Sequence, residues 1–279
     1  MNFLFWNIRG RDIREGGRYL LSALHSIIEE ESIDVVALAE YEEYSEQLDA
    51  ELVYKKRFTR LKNPSGIQEK VELFYNPQKV AIKIKHNKDN TTALQLIGTE
   101  SGMTLNGFFC HLPSKLRRQP ADQRDIANDF MDEVRTYEKQ ESNDKTFICG
   151  DFNMCPYEEG MINSKCFHSI MDADVVRNYP SRNFNRKTYT TFYNPMWGLS
   201  GDLGRGDASG TYYGNQYETN EYFWYMFDQI IIRPSLLNYF DSSKLRIVAK
   251  GETYSLVDDQ ARIQSRYSDH LPIRFTLNF

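Results

Sequence analysis

The sequence has no run of apolar residues approaching the ~18 that a helical membrane span requires, so none is expected. Its opening, Met1-Asn2-Phe3-Leu4-Phe5-Trp6, is too short for a secretory leader and lacks the basic flank. Cysteine is sparse. Cys110, Cys149, Cys155 and Cys166 never fall at Cys-x-x-Cys spacing, which argues against both a zinc site and a disulfide framework. These absences lead to the expectation of a cytoplasmic protein with reduced thiols. Positive charge is not in surplus either. A net charge of −5 counts against a protein that coats nucleic acid through counterion release alone, though a local basic patch and a metal remain compatible with it. No repeat, low-complexity run or linker divides the chain, so 1–279 reads as a single domain long enough to bury a sizeable core.

Aromatic residues are abundant, with 18 Tyr and 17 Phe, and much of the excess falls in the second half, where they either line a cleft or pack long loops. Three basic clusters stand out: Lys55-Lys56-Arg57 with Arg60 and Lys62, Lys115 with Arg117-Arg118, and Arg182 with Arg186-Lys187. Each alone reads as a solvated face. The second lies just past His111, where it would face whatever that histidine serves.

Strands are expected at Phe3 to Ile8 and Asp34 to Ala39, with an amphipathic helix over Arg18 to Glu31 between them. Short β-rich pieces follow, with a hairpin signature at Val71 to Tyr75, Asn76-Pro77 and Val80 to Lys85. Ala93 to Gly98 and Met103 to Cys110 add strands, and Gln119 to Gln140 is the longest helical stretch. Lys145 to Cys149 reads as a buried strand. Pro156 to about Tyr225 reads as loop-rich, with Gly198 to Gly214 a candidate mobile loop. Regularity returns at Met226 to Arg233, Lys244 to Lys250 and Leu271 to Phe279. Strands outnumber helices and several are hairpin-connected, which predicts an α/β fold of two mixed sheets packed face to face with helices outside.

Six strand ends carry polar groups that strand packing does not explain. They are Asn7, Glu40, His111, the Asp151/Asn153 pair in Gly150-Asp151-Phe152-Asn153, Asp228, and Asp269-His270 in Ser268-Asp269-His270-Leu271-Pro272. Singly, each has a dull reading as a turn former or surface group. Six such anomalies in one acidic chain point instead to a hard divalent metal and phosphate-ester chemistry. His25 and His86 read as structural or exposed.

The ordered set Trp6-Asn7, Leu38-Ala39-Glu40, His111-Leu112, Gly150-Asp151-Phe152-Asn153, Phe227-Asp228-Gln229-Ile230 and Ser268-Asp269-His270-Leu271-Pro272 resembles the endonuclease/exonuclease/phosphatase superfamily. The match runs from residue 7 to residue 272. Two departures are Ala39, where that family often has Gln, and Gln229, where a Tyr or another residue commonly follows the Asp. The resemblance implies a four-layered, DNase I-like α/β sandwich and metal-dependent phosphoester cleavage. It implies Glu40 as the principal ligand of Mg²⁺, or of Mn²⁺ in its place, with Asn7 nearby and Asp269 completing the shell. It also implies Asp151 activating the attacking water, Asn153 holding phosphate or water, His270 against the phosphate with Asp228 behind it, and His111 as a candidate acid.

For the substrate, the leading expectation is a nucleic acid. Lys115, Arg117 and Arg118 would meet the backbone, and the stretch Tyr212 to Tyr225, with Tyr213 and Trp224, would meet bases. The alternative is a small, lipid or inositol phosphate, although the Pro-Ala-Trp-x-Asp-Arg-like segment of the inositol-phosphatase branch is missing. A non-catalytic binding relative is the third reading, weakened because every identified catalytic position is filled.

Overall fold

The apolar runs become strands covered on both faces. Asn2–Asn7 is buried from Phe3 onward at every position, and Val35–Ala39 at all of its positions. Continuous rather than alternating hydrophobicity is what two covered faces demand. The computed structural model describes residues 1–9, 17–62, 70–88, 91–115, 119–204, 207–214 and 223–279.

The first half of the chain holds β1 (Asn2–Asn7), α1 (Arg18–Glu30), β2 (Val35–Ala39), α2 (Ser45–Leu48), β3 (Thr59–Arg60), β4 (Val71–Tyr75), β5 (Val80–Lys88), β6 (Thr91–Gly98), β7 (Thr104–His111) and α3 (Pro120–Glu141). Next come β8 (Thr146–Asp151), α4 (Glu159–Ile162), β9 (Ser169–Ile170), α5 (Ala173–Asn178), β10 (Ser181–Phe184) and β11 (Lys187–Thr190). The last are β12 (Phe192–Tyr193), β13 (Tyr212–Tyr213), β14 (Trp224–Tyr225), β15 (Asp228–Ile232), β16 (Arg246–Ile247) and β17 (Ile273–Thr276).

One sheet runs β16-β17-β1-β2-β4-β3 and the other β5-β6-β7-β8-β15-β12-β9, each mixing parallel and antiparallel neighbours. Rings lock them face to face. Phe3 and Phe275 stack at 4.8 Å in the first sheet, and Phe147 of the second meets them edge-on at 5.4 and 5.9 Å. Alternation then assigns the layers. Along β8, Phe147 and Cys149 enter the core between the sheets, while Ile148 faces α3. α3 lays Ala127, Phe130, Met131 and Val134 on that outer face, with Phe108 of β7 packed edge-on against Tyr137 at 5.3 Å. α1 adds Leu20, Ala23, Leu24 and Ile27 to the cluster that includes the first sheet. The result is the expected four-layered sandwich.

Two local expectations are corrected. Val71–Tyr75 and Val80–Lys88 do not form a hairpin. β4 pairs with β2 and β3 in one sheet, and β5 pairs with β6 at the edge of the other. The strands have incompatible surroundings, since β4 is buried on both faces and β5 alternates. Asn76 therefore turns the chain from one sheet to the other, accepting from Gln78 N at its side chain (3.0 Å) and from Val80 N at its carbonyl (3.1 Å). The segment after Glu40 is helical rather than β-rich from Glu42 to Lys55. Tyr41, Tyr44, Leu48 and Leu52 are buried at helical spacing there. In the loop-rich stretch the chain forms two ribbons, β10–β11 and β13–β14, and of the Gly198 to Gly214 segment residues 205–206 lie outside the described residues.

Gly150 shows how tightly the site-bearing strands are joined. A Cβ there would sit 2.0 Å from the Cys110 carbonyl oxygen, a backbone atom that cannot swing aside. Gly150→Ala should therefore lower stability by about 1–3 kcal/mol or more, read as a fall in urea midpoint at constant m. An unchanged midpoint would mean that β7 and β8 part without cost.

Candidate functional site

Three adjacent strands of the seven-stranded sheet bring polar residues into one row. His111 ends β7, Asp151 ends β8 and Asp228 starts β15, with Asp151 in register with both of the others. Residues directly opposite one another across a sheet share a face. In the six-stranded sheet Asn7 ends β1 beside Ala39, and Glu40 follows at once.

Side chains join the two rows. Asn7 Nδ2 donates to Glu40 Oε1 (3.1 Å) and to Asp151 Oδ2 (3.2 Å). His111 Nε2 lies 3.5 Å from Glu40 Oε1 and 3.8 Å from Asp151 Oδ2. His270 Nδ1 is 2.8 Å from Asp228 Oδ2, and its Nε2 is 3.9 Å from Asp151 Oδ2. The C-terminal motif is stitched onto β1: Ser268 Oγ donates to the Asn7 carbonyl (2.7 Å), and Trp6 Nε1 donates to the His270 carbonyl (2.9 Å). Glu40 and Asn153 hold left-handed backbone at φ 52° and 50°, a conformation rare outside glycine that concentrates at functional positions.

Burial pushes the Asp151 carboxyl above its usual range, against the opposing pull of His270 and His111. Burial alone would lower His270, but the charge and hydrogen bond of Asp228 outweigh it, and the imidazole is pushed up to about 10. His270 is thus an imidazolium wedged between two buried carboxylates. Asp151, Asp228 and His270 each offer a ligand atom within 4.8 Å of the others, an arrangement that could hold a cation. The His270–Asp228 hydrogen bond already occupies one atom of each, and Glu40 and Asn7 are engaged as well: Glu40 Oε1 accepts from Asn7, Glu40 Oε2 pairs with Arg9, and Asn7 Oδ1 accepts from the backbone N of Arg9 (3.3 Å). Asp269 Oδ1 is buried without a partner, as is Asp228 Oδ1.

Asn153 sits beside Asp151, its backbone N donating to Asp151 Oδ1 (2.8 Å), while its Nδ2 donates to the Leu112 carbonyl (2.8 Å). Gln229, the second departure from the family pattern, donates to the carbonyls of Met154 (2.6 Å) and Met226 (3.0 Å), bracing the strand that carries Asp228. Lys115 pairs with Glu158 and lies 5.4 Å above the Phe227 ring. Arg117 and Arg118 lie outside the described residues. Tyr213 and Trp224 pair across the β13–β14 ribbon with rings 5.1 Å apart, and the pleat directs Tyr212 and Tyr225 to its other face. Tyr212 is the aromatic against the site, its ring 4.9 Å from His270 and stacked on Phe227 at 5.4 Å. Sequence reasoning named Tyr212 only as the start of an aromatic stretch and singled out Tyr213 and Trp224 instead. It missed Arg9, whose Nε is 3.4 Å from Glu40 Oε2, and Thr211, whose Oγ1 accepts from the backbone N of Phe227 and of Asp228 (3.1 and 3.0 Å). None of the three belongs to a motif. His25, expected to be structural or exposed, bonds Glu51 of the helical segment after Glu40.

The Asp228–His270 pair generates a test. Its stabilisation is present in full below the ordinary histidine value of 6.5 and is lost as pH rises through about 10. Nitrogen-15 spectra of metal-free protein at pH 7.5 should show His270 as imidazolium, and Asp228→Asn should leave burial dominant and render it neutral. A neutral ring in the wild-type protein would contradict the pairing.

The chain matches the model of the endonuclease/exonuclease/phosphatase family over residues 4–270. No curated protein matches it by sequence. Among solved structures it is similar to a mannosyl-6-phosphatase from Bacteroides thetaiotaomicron (14% identity, TM-score 0.61, all of both chains covered). It is also similar to D. rerio TDP2 complexed with single-strand DNA product (18% identity, TM-score 0.58, covering 100% of this chain and 99% of that one). A third similar structure is the human Nocturnin catalytic domain with bound sulfate (15% identity, TM-score 0.60, covering 100% and 94%). At these identities the structures speak for the fold, and the family match carries the chemistry: the chain belongs to the endonuclease/exonuclease/phosphatase family of metal-dependent phosphoester hydrolases.

Proposed function

We propose that the chain is a Mg²⁺-dependent phosphodiesterase acting on nucleic acid. One observation carries the hydrolytic part: Asp151 Oδ2 lies 3.2 Å from the Asn7 amide and 3.8 and 3.9 Å from two imidazoles, one at the end of β7 and one in the C-terminal motif. A carboxylate raised by burial and surrounded in this way is a base poised for water. The oxygen-only set of Glu40, Asn7 and Asp269, with its unpaired buried oxygen, fits a hard divalent cation. Bound there, Mg²⁺ would offset charge on the phosphoryl oxygens.

The chain's own residues account for the remaining roles. Asp151 takes the proton of the attacking water as the new P–O bond forms in line with the leaving oxygen. His270, kept cationic by Asp228, faces the phosphoryl oxygens, where charge builds. Asn153, anchored at one amide proton by the Leu112 carbonyl, holds phosphate or water with the other. His111 gives a proton to the leaving oxygen as the second P–O bond breaks.

The nucleic-acid part rests on the aromatic surface beside His270. Tyr212 and Phe227 stack within the wall, Phe223 is half exposed on the ribbon, and Lys115 lies at the rim. Bases stack on such surfaces regardless of sequence. Similarity to a TDP2 that holds a single-strand DNA product supports the same reading. Net charge of −5 and full-length similarity to a mannosyl-6-phosphatase favour the second reading, a small phosphate substrate.

With Mg²⁺ the purified protein should hydrolyse bis-p-nitrophenyl phosphate, and EDTA should abolish the activity. Asp151→Ala and His270→Ala should each reduce kcat by about 10²–10³ while circular dichroism shows the fold retained. Turnover at the wild-type level in either variant would refute the roles. A panel of single-stranded DNA, abasic duplex, RNA, 5′-tyrosyl ends, and inositol, sugar and nucleotide phosphates separates the two substrate readings. Cleavage of small phosphates alone would end the nucleic-acid one.

A further inference from the structure

A second cleft of about 690 Å³ opens between α3, α4 and the β10–β11 ribbon, and no step of the hydrolysis uses it. Its size is that of a small-ligand site. His168, 6% exposed, forms part of its wall, and Nδ1 of that ring is buried without a hydrogen-bond partner. Backbone groups of Thr190 and Tyr189 hydrogen-bond the ring, and with Nδ1 unpartnered these contacts fall to Nε2 as donor. Burial holds the imidazole below its ordinary value, hence neutral. Its Nδ1 is therefore a lone-pair acceptor sealed behind the cleft wall, and leaving such an atom unpaired is costly.

The other walls supply complementary chemistry. Arg182 and Phe184 stand two residues apart on β10, so both project from one face of the ribbon, and both line the cleft. Phe184 is 44% exposed, an aromatic side chain partly open to solvent. The carboxylates at the cleft are already engaged, since Arg124 bonds Asp125 and lies 3.6 Å from Glu159. Arg182 and Lys165 form no ion pair among the described residues, which leaves two free cations.

We propose that this cleft binds a nucleoside phosphate, either as a free nucleotide or as one unit of a strand. The base stacks on Phe184, the phosphate pairs with Arg182 and Lys165, and the bound unit covers the part of the wall that His168 forms. The proposal stands apart from the hydrolytic site.

The test uses EDTA-treated protein, so that nothing is cleaved. Adenosine 5′-monophosphate is titrated against the nitrogen-15 signals of His168, and a fluorescein-labelled oligothymidylate is followed by polarisation. At least one ligand should bind and shift the ring signals of His168, which lines the cleft. Arg182→Ala and Phe184→Ala, both at the exposed ribbon face, should weaken binding about tenfold or more. The same variants with Mg²⁺ should hydrolyse bis-p-nitrophenyl phosphate at the wild-type rate. Binding of the mononucleotide identifies a free nucleotide as sufficient, and binding of the oligonucleotide alone identifies a strand. Neither ligand binding, an unmoved His168 signal, or variants that bind as tightly as wild type would overturn the proposal. Absence of hydrolysis alongside ribbon-dependent binding would instead remove the phosphodiesterase reading and leave this site standing.

Discussion

The Asn7 amide is the point at which two sheets become one site. Its Nδ2 donates to a carboxylate just past the end of β2 and to another at the end of β8, and those strands belong to different sheets. Hydrogen bonds of 3.1 and 3.2 Å tolerate little sliding, so the sheets must keep one relative offset. The ring cluster of Phe3, Phe275, Phe147 and Phe109 supplies that offset deep in the core, because interlocked rings resist translation. Fixed ring packing below thus sets the distance between carboxylates above. The Ser268 and Trp6 bonds then hang the C-terminal histidine on the same strand that carries Asn7.

Collecting Asp151, Asp228 and His270 in the interior has a cost that packing must offset. Buried charges are expensive unless paired, and here one imidazolium serves two carboxylates. The pairing is incomplete, since Asp228 Oδ1 and Asp269 Oδ1 have no partner and Asp151 is pushed toward its neutral form by burial. A fold optimised for stability alone would not keep this arrangement. The left-handed backbone of Glu40 and Asn153 adds strain at the same place, so the site stores unfavourable terms that the close-packed sandwich beneath it sustains.

Much of this was legible in the sequence because strand-end polarity is a local signal. Asn7, Glu40, His111, Asp151, Asp228 and His270 each follow or precede an apolar run, and the structure brings all six together. The four layers were legible too, since runs such as Val35–Ala39 are apolar throughout and demand cover on both faces. Non-local pairing was not. Nothing between Tyr75 and Val80 distinguishes a hairpin from a crossover between sheets, because the turn chemistry at Asn76 serves either. Tyr213 and Trp224 were singled out over Tyr212 because a one-residue shift in a ribbon reverses which face meets the site, and the register of so short a ribbon is set by its bridge to His270. The helical segment after Glu40 was a true misreading, as Tyr41, Tyr44, Leu48 and Leu52 already carry the helical period.

Overall charge says little about how such a chain handles an anion. The net −5 is spread over a surface on which many acids are already engaged: Glu158 with Lys115, Glu159 with Arg124, Glu51 with Lys55. What an approaching phosphate meets is local, namely the cationic His270 behind its aromatic wall. Screening confines the influence of distant exposed charges to about 10 Å at ordinary salt, whereas a buried imidazolium is screened far less. Local arrangement therefore outweighs the sum. An acidic protein can present a cation at the one place where negative charge must be received.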